Sequence, residues 1–375
     1  MRPVFLTATG SHLPGPPVPS DAIEDHIGRL SPEASRRGRY MLRKNGIRTR
    51  HYAMDAQGRT EWTVARLGAA AAGDLFRRAE IGTERVSFLA TATTQNDMMV
   101  PGLASGVHAA LGLPPLEIAS FQSVCASAMM ALKAAWLQVG SGGHEAGLAV
   151  GAEFSSRYFR PGFYEGTDAV AADGTLAPDA EFLRWTLSDG AGAALLESRP
   201  AARGPSLRVE WISLRSYADR FPPCMTAGAA GGAPWSHFPS AGEAARAGAF
   251  MLRQDLPTLH AMLPVWIAEL MRLIDEGLVA ADEVDWFLCH YSAHSLREEM
   301  VRLATRAGCM IPEERWFTNL YEKGNVGAAS LYLLLDDLMR SGRLEPGQTV
   351  LAAVPESGQC LIGFARFTVV EARHD

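Results

Sequence analysis

The chain has 375 residues, of which 47% are hydrophobic, and its 41 acidic and 35 basic side chains give a net charge of −6. This length allows two domains or one large duplicated domain, and the lack of a basic stripe argues against nucleic-acid binding. The amino terminus lacks the apolar segment and cleavage site of a signal peptide, and no window is apolar for long enough to span a membrane. We therefore expect a soluble, cytoplasmic protein.

The cysteines are scattered along the chain and odd in number, which argues against a disulfide framework and for reduced thiols. This leaves open a chemical role for at least one of them. The five are Cys125, Cys224, Cys289, Cys309 and Cys360.

Short apolar runs alternate with helical patterns in a way that is typical of α/β architecture with sheets covered on both faces. The segments rich in glycine, proline and alanine at 199–206 and 222–236 are predicted to be a crossing between two halves and a surface loop. The predicted strands are 86–92, 147–152, 284–289 and 349–354.

A weak internal duplication connects these elements. Cys125 and Asn325 each open a helix of small and apolar residues that is followed by a strand, and they lie roughly 200 residues apart. The strands that precede these helices repeat at nearly the same offset. We therefore expect two copies of one α/β unit, residues 1–200 with the cysteine and residues 201–375 with the asparagine.

Cys125 stands where a strand-like run meets a segment of strong helix formers, residues 126–139. In or near the first turn of a helix, unpaired N–H groups and the positive end of the dipole favour a thiolate. Cys125 is therefore a candidate nucleophile. The alternative is a buried structural cysteine, which is the commoner fate of a free thiol.

Two further segments favour the interpretation of Cys125 as a nucleophile. His290 follows a hydrophobic strand, and Asn325 stands between two glycines before an amphipathic helix. Alone, the first could be a satisfied loop histidine and the second a helix cap. Together with Cys125, they supply a nucleophile, a group that can transfer protons and a group that can bind a carbonyl oxygen or an oxyanion.

The segment around His290 also permits a metal-site reading, because Cys289 and His294 flank it. A zinc site usually needs four clustered nitrogen or sulfur ligands, and the other cysteines are not suitably spaced. We therefore expect no metal.

At this point the sequence resembles the β-ketoacyl-ACP synthase III branch of the thiolase-fold superfamily, nearly from end to end. The resemblance implies a duplicated αβαβα five-layer α/β fold with two mixed sheets around central helices. The segments that carry it, in family order, are TATGSHLP (7–14), RKNGIRTRH (43–51), SVCASA (123–128), SDGAGAALLE (188–197), FLCH (287–290) and KGNVGAAS (323–330).

The resemblance implies roles for the candidate residues. Cys125 would accept an acyl group from an acyl-CoA or an acyl carrier protein, while His290 and Asn325 would bind the carbonyl of a second thioester. With a malonyl donor they would promote decarboxylation and a Claisen condensation. The N–H groups of Cys125 and Gly358 would form the oxyanion hole. No metal or redox cofactor is implied, since CoA or phosphopantetheine thioesters are the substrates.

Departures from the family pattern concern substrate handling. Lys44 stands where the family has arginine, Tyr40 is the counterpart of a tryptophan that stacks on adenine, and Arg297 is the counterpart of the arginine on the pantetheine side. The glycine run at 356–358 is thinned, and segment 155–187 is longer and more aromatic. These changes favour a specialised synthase that makes polyketide, pyrone or resorcinol-type products.

Two other readings stay open: a housekeeping initiator of fatty-acid synthesis, and a paralogue that transfers acyl groups or serves as a scaffold without condensing. The resemblance also implies a homodimer and an acidic acyl carrier protein as partner. A basic cluster could dock that carrier or simply face solvent. Its members are Arg36, Arg37, Arg39, Arg43, Lys44, Arg48 and Arg50.

Overall fold

Strands and helices alternate along residues 1–372, which are the residues that the computed structural model describes. The end of the predicted C-terminal half, residues 373–375, lies outside the described residues. The strands are β1 Phe5–His12, β2 Val18–Pro19, β3 Thr49–Arg50, β4 Phe88–Thr93, β5 Glu117–Gln122, β6 Ala146–Glu153, β7 Gly190–Glu197, β8 Ser206–Ser216, β9 Met225–Thr226, β10 Ala229–Ala230, β11 Ala233–Pro234, β12 Arg253–Gln254, β13 Trp286–Cys289, β14 Thr349–Glu356 and β15 Leu361–Val370. The helices are α1 Ile23–Ile27, α2 Pro32–Asn45, α3 Val64–Ala79, α4 Leu103–Leu111, α5 Ser127–Ser141, α6 Pro161–Tyr164, α7 Pro178–Arg184, α8 Ala241–Arg246, α9 Leu256–Asp275, α10 His294–Ala307, α11 Leu320–Lys323 and α12 Ser330–Arg340.

The main sheet contains two mixed portions. In the first portion β4 runs parallel to β5 and β6, and β7 and β1 continue antiparallel. In the second, β13 runs parallel to β14, and β15 and β8 continue antiparallel. The family resemblance implies two mixed sheets around central helices. The structure contains both, joined edge to edge because β1 and β8 pair through Phe5↔Arg208 and Leu6↔Leu207.

The central layer is formed by α5 and α12, which contact strands of both portions. The two helices also contact each other, since the Tyr332 hydroxyl donates a hydrogen bond of 2.8 Å to the Ala128 carbonyl oxygen. Gly192 of β7 permits this close packing, because a Cβ there would lie 2.5 Å from the Tyr332 Cβ. The predicted central helices are therefore present.

The outer layers complete the arrangement. Helices α3 and α4 cover the first portion of the sheet, while α9 and α10 pack in one hydrophobic cluster with β13, β14 and β15. Strands β6 and β14 are buried almost throughout, as expected for strands covered on both faces. The α/β, thiolase-like five-layer fold predicted from the sequence is confirmed.

The segments that connect the strands can be compared with the prediction. Segment 199–206 leads from β7 into β8 and thus crosses between the two portions, as predicted. Each predicted strand is present within a few residues of its expected bounds. Among residues 1–372, no helix combines the length and the apolar character that crossing a membrane requires.

Candidate active site

Cys125 lies in the turn between β5 and α5, two residues before the helix begins at Ser127. Its carbonyl oxygen accepts a hydrogen bond of 3.3 Å from the Ala128 N–H, so the turn leads directly into the helix. The residue is buried, with 5% of its surface exposed, and its thiol is free. The structure thus places this thiol at the helix start that the sequence predicts.

The electrostatic surroundings of Cys125 differ from the prediction. Burial raises the pKa of the thiol well above its ordinary value, and the carboxylates of Glu356 and Glu153 raise it further. The hydrogen bond from the residue's own N–H lowers the pKa, but only as the smallest contribution. The expected thiolate is therefore not favoured at this site, because burial and two nearby carboxylates raise the pKa of the thiol.

Glu356, the last residue of β14, holds the loop that carries Cys125. Its Oε1 accepts a hydrogen bond of 2.5 Å from the Ser123 hydroxyl, and its Oε2 accepts one of 2.9 Å from the Ala126 N–H. The side chain is buried, and burial raises the pKa of its carboxyl group. A carboxylate thus occupies the anion-binding N–H at the start of α5. Sequence reasoning noted this residue only as a departure from a glycine run.

Glu153, the last residue of β6, plays the matching part in front of α12. Its Oε1 accepts hydrogen bonds from the Thr94 N–H at 2.9 Å, the Thr94 hydroxyl at 2.6 Å and the Ala328 N–H at 3.0 Å. Complete burial raises the pKa of this carboxyl group to about 7. Sequence reasoning did not single it out, and its only signal is an acidic residue at the end of a fully apolar strand.

His290 follows the last residue of β13, and its N–H donates a hydrogen bond of 2.9 Å to the Ala353 carbonyl oxygen. The side chain is buried, and within residues 1–372 its Nε2 has no hydrogen-bond partner. Burial lowers the pKa of the imidazole to about 4. The ring is therefore neutral at pH 7, and it can donate a hydrogen bond from one nitrogen without carrying a charge.

Asn325 is buried in the loop that leads to α12. Its Oδ1 accepts a hydrogen bond of 2.9 Å from the Gly327 N–H, and its carbonyl oxygen accepts one of 2.8 Å from the Ser188 N–H. The side chain thus fixes the short turn before the helix, as a capping residue would, although α12 itself begins at Ser330. Because Oδ1 is engaged, the amide nitrogen is the end of this side chain that can donate to a ligand.

Cys125 and His290 line one small buried cavity, which Ser357 also borders. Its volume is about 20 Å³, which is room for about one water molecule. Asn325 is not part of the lining. It is connected to the nucleophile through Glu153, which hydrogen-bonds the loop that follows Asn325 and raises the pKa of Cys125. The structure therefore unites two of the three predicted catalytic residues around one space.

Gly358, predicted as the second oxyanion donor, lies in the tight turn between β14 and β15. Its carbonyl oxygen accepts a hydrogen bond of 2.8 Å from the Cys224 N–H. A Cβ at this position would lie 2.9 Å from Glu356 Oε1 and 3.1 Å from Val124 Cγ2, so the glycine permits a close approach to the cysteine loop. The neighbouring Ser357 borders the cavity, and the oxyanion role of Gly358 stays a prediction.

The predicted substrate-binding residues lie apart from this cavity. Tyr40 and Lys44 are exposed on α2. Arg297 on α10 forms an ion pair of 2.7 Å with Glu313 and lies 5.0 Å from the centre of the Trp316 ring. None of the three borders the small cavity, and their role in binding stays a prediction.

The prediction of an exposed basic cluster is wrong for one of its members. Arg50 is fully buried, so it cannot take part in docking a carrier. Arg36 and Arg48 are exposed but form ion pairs with Glu33 and Glu322. The solvent-facing part of the cluster therefore reduces to the exposed residues of α2 and Arg48.

Two other findings bear on where a ligand could sit. A cavity of about 980 Å³ is lined by Arg85, Glu197 and Arg203 among others and does not include Cys125 or His290. We locate the candidate active site at the smaller cavity because that is where the thiol and the imidazole meet. Within residues 1–372 no three His, Cys, Asp or Glu side chains are grouped as metal ligands would be.

Comparison with known proteins gives matches over part and over nearly all of the chain. Residues 274–358, which include His290 and Asn325, match the family described as "3-Oxoacyl-[acyl-carrier-protein (ACP)] synthase III C terminal". Over 359 residues the chain is 27% identical to a β-ketoacyl-[acyl-carrier-protein] synthase III from Hyphomonas neptunium, covering 95% of this chain and 96% of that protein.

Solved structures resemble the fold over the whole chain. The tetronic acid condensing enzyme AbyA1 has a TM-score of 0.78 at 22% identity, with 97% of this chain and 99% of that one covered. A variant of OleA from Xanthomonas campestris, solved with bound lauric acid and lauroyl-CoA, has a TM-score of 0.76 at 17% identity, covering 98% and 99%.

The layered α/β fold of the chain is therefore shared with AbyA1 and OleA. The match over residues 274–358 and the end-to-end similarity to the Hyphomonas protein make the chain similar to β-ketoacyl-ACP synthases III.

Proposed function

We propose that the protein is a ketosynthase that takes an acyl group onto Cys125 and condenses it with a malonyl- or β-ketoacyl-thioester. The observation that carries this proposal is the single buried cavity lined by the Cys125 thiol and the neutral His290 imidazole. One group can form a thioester there, and the other can donate a hydrogen bond to a carbonyl beside it.

Acylation forms a bond between the Cys125 sulfur and the acyl carbonyl carbon and breaks the bond to the sulfur of the donor. The thiol is protonated at rest, because burial and the carboxylates of Glu356 and Glu153 raise its pKa. His290, with its pKa lowered to about 4, is a weak base. The thiol proton therefore passes to the departing thiolate of CoA or carrier protein, whose own affinity for the proton is high.

Condensation then uses the donors on the second half of the molecule. The neutral His290 and the amide nitrogen of Asn325 hydrogen-bond the carbonyl oxygen of a malonyl thioester and stabilise the enolate that forms as carbon dioxide departs. The enolate carbon attacks the acyl carbonyl on Cys125. The tetrahedral oxyanion is held by the N–H groups of Cys125 and Gly358, and its collapse releases the Cys125 thiolate and the β-keto thioester.

We further propose a place in specialised lipid or polyketide synthesis, with pyrone or resorcinol-type products. Two features of the chain support it: the carboxylate of Glu356 against the cysteine loop, where the family has a glycine, and the ion-paired Arg297. Two proteins that share the fold also support it. AbyA1 is described as a tetronic acid condensing enzyme, and OleA was solved with bound lauroyl-CoA.

The partners follow from the chemistry. Acyl-CoA or an acyl carrier protein delivers the acyl group, the active form is a homodimer in the cytoplasm, and neither a metal nor a redox cofactor takes part. Exposed cations of α2, among them Arg39 and Lys44, offer a surface to an acidic carrier.

Intact-mass measurement after incubation with an acyl thioester tests the first step. We expect a single acyl adduct on the wild-type protein and none on Cys125→Ala. Equal labelling of both proteins would refute the proposal.

A second candidate is the housekeeping initiator, which the 27% identity to the Hyphomonas protein favours. Acyl preference separates the two, because an initiator takes a short acyl-CoA and a malonyl carrier protein. A third is a paralogue that transfers acyl groups or serves as a scaffold. It is distinguished by an acylated Cys125 that yields no carbon–carbon bond with a malonyl donor.

A further inference from the structure

Arg50 of β3 lies inside the molecule, although it belongs to a run of cations. Its surface is 0% exposed, and within residues 1–372 none of its side-chain nitrogens Nε, Nη1 and Nη2 hydrogen-bonds an acceptor. Burial lowers the pKa of Arg50, but a guanidinium starts from so high a value that it keeps its proton in proteins. The fold therefore encloses a positive charge together with unsatisfied N–H groups.

The neighbours of Arg50 do not supply a balancing negative charge. Tyr52 interacts electrostatically with Arg50, but burial raises the pKa of this tyrosine to about 12, so its hydroxyl is neutral at pH 7. In the described part of the chain that hydroxyl also has no hydrogen-bond partner. The carboxylate of Asp189, which acts on Tyr52 as well, accepts hydrogen bonds from the N–H groups of Ser156 at 2.9 Å and Ala53 at 2.8 Å.

A buried guanidinium needs an opposite charge, and water cannot provide one. Moving an ionised group out of water costs far more than hydrogen bonds return, unless a counter-charge accompanies it. Ordered water could satisfy the N–H groups of Arg50, but it would leave the positive charge unbalanced. The partner that balances Arg50 is therefore expected to come from the solvent as an ion.

We propose that Arg50 and Tyr52 form a buried binding site for a small, weakly hydrated monovalent anion such as chloride. The guanidinium N–H groups and the phenolic O–H donate hydrogen bonds to it. One negative charge balances one guanidinium, whereas a divalent anion such as sulfate would leave an excess negative charge inside the protein. A weakly hydrated anion also loses the least when it leaves water.

This site lies beside the segment that holds Asn325. A Cβ at Gly324 would lie 3.1 Å from the Cβ of Arg50, so the two backbones pack closely. The N–H of His51 donates a hydrogen bond of 2.9 Å to the Ser188 hydroxyl oxygen, and the N–H of Ser188 donates one of 2.8 Å to the Asn325 carbonyl oxygen. An anion that balances Arg50 thus also stabilises the backbone next to Asn325. The existence of the anion site does not depend on the proposed function.

The test is thermal unfolding at constant ionic strength, in about 0.2 M sodium chloride and in about 0.2 M sodium gluconate, whose anion is too large for the site. The wild-type Tm should rise on changing gluconate for chloride by about 2 °C more than the Tm of Arg50→Met does. In gluconate the variant should be at least as stable as the wild type, because methionine fills a similar volume without a buried charge.

The matched control is Arg184→Met. Arg184 is equally buried, but its Nε donates a hydrogen bond of 3.1 Å to the Phe159 carbonyl oxygen and its Nη2 donates one to the Gly28 carbonyl oxygen. This variant should lose stability in both salts and keep the wild-type response to chloride. If Arg50→Met does not fold, Tyr52→Phe replaces it, and the chloride concentration at half of the Tm shift should rise by at least about threefold.

Crystals grown in sodium bromide locate the anion directly. We expect an anomalous peak within hydrogen-bond distance of the Arg50 guanidinium. An equal response to chloride in the wild type and Arg50→Met, or a guanidinium surrounded by water without a bromide peak, would overturn the site. Loss of the response in Arg184→Met would also overturn it. Acylation of Cys125 is measured separately, so these results leave the proposed function untouched.

Discussion

The loop that carries Cys125 (residues 123–126, the cysteine loop) and the loop that carries Asn325 (residues 324–329, the asparagine loop) occupy corresponding places before the two central helices. Each is held by a buried glutamate that ends a strand of the opposite half. Glu356 of β14 holds the cysteine loop, and Glu153 of β6 holds the asparagine loop.

The two loops differ in what they leave available. In the cysteine loop the carboxylate binds the backbone next to the nucleophile and raises the pKa of its thiol. In the asparagine loop Oδ1 is tied to the backbone of Gly327, which leaves the amide nitrogen to donate. The cysteine loop thus presents a protonated nucleophile, and the asparagine loop presents an uncharged hydrogen-bond donor. The two steps of the proposed reaction can therefore be impaired separately.

The largest expected effects come from removing the functional group of each loop. Cys125→Ala should abolish acylation, because it removes the thiol on which the proposed thioester forms. Asn325→Ala should leave acylation within about threefold of wild type and slow formation of the carbon–carbon bond by about 10²- to 10³-fold, the usual effect of losing one oxyanion donor. Intact mass follows the first step and product formation the second. An equal loss of acylation and condensation in Asn325→Ala would contradict the separate roles of the two loops.

The pH dependence of the two steps should also diverge. Because the pKa of His290 is lowered to about 4, condensation by pre-acylated protein should change less than about twofold between pH 5.5 and 7. A histidine that titrates at 6.5 would lose about tenfold over one unit below its pKa. Acylation should instead rise with pH throughout, since the pKa of the Cys125 thiol is raised. A midpoint near pH 6.5 in the pH dependence of the condensation rate would show that burial does not keep the His290 imidazole neutral.

Replacing Glu356, which holds the cysteine loop, should make the Cys125 thiol more reactive. In Glu356→Gln the side-chain oxygen can still accept from the Ala126 N–H, and the amide nitrogen can donate to the Ser123 hydroxyl. Loss of the negative charge should lower the pKa of Cys125 and raise its alkylation rate by iodoacetamide at pH 8 by about 3- to 10-fold.

The matched variant is Glu153→Gln, which removes the other carboxylate near the thiol and should give a smaller rise, because that charge affects Cys125 less. Cys125→Ala with Glu356→Gln shows which part of the labelling belongs to this thiol. A slower reaction of Glu356→Gln would mean that the glutamate assists the nucleophile.

The smallest effect concerns stability at the asparagine loop. The pKa of Glu153 in the folded protein, about 7, lies above its ordinary value of 4.5. The folded state therefore favours the protonated form, and the stability this gives is complete below pH 4.5 and lost as the pH rises through 7. Glu153→Gln keeps the contacts of Oε1 without the charge. We expect it to be more stable than wild type at pH 8 by about 1–3 kcal/mol and to lose this advantage at pH 4.5. A difference that does not vary with pH would contradict this account.

The sequence predicts the parts of the site that stand next to a strand end. Cys125, His290 and Asn325 each follow or precede a regular element whose pattern is visible, so their places could be predicted from the periodicity and the repeat. The glutamates could not. Their partners lie 230 and 175 residues away along the chain, and only folding brings them together.

Local patterns also mislead in two places. Arg50 belongs to a run of cations that indicates a solvent-facing surface, yet tertiary packing buries it completely. The dipole argument for Cys125 considers one helix alone. It fails because a strand of the other half delivers a carboxylate to the same N–H groups.

The crossed arrangement of Glu153 and Glu356 has a consequence for how the protein becomes active during folding. Each half contains the loop, but the group that fixes it comes from the other half, so neither could hold its loop in the native geometry alone. Long-range contacts of this kind form late, because the connecting chain must first be closed. The native geometry around the nucleophile therefore depends on contacts between distant parts of the chain and not on its own segment alone.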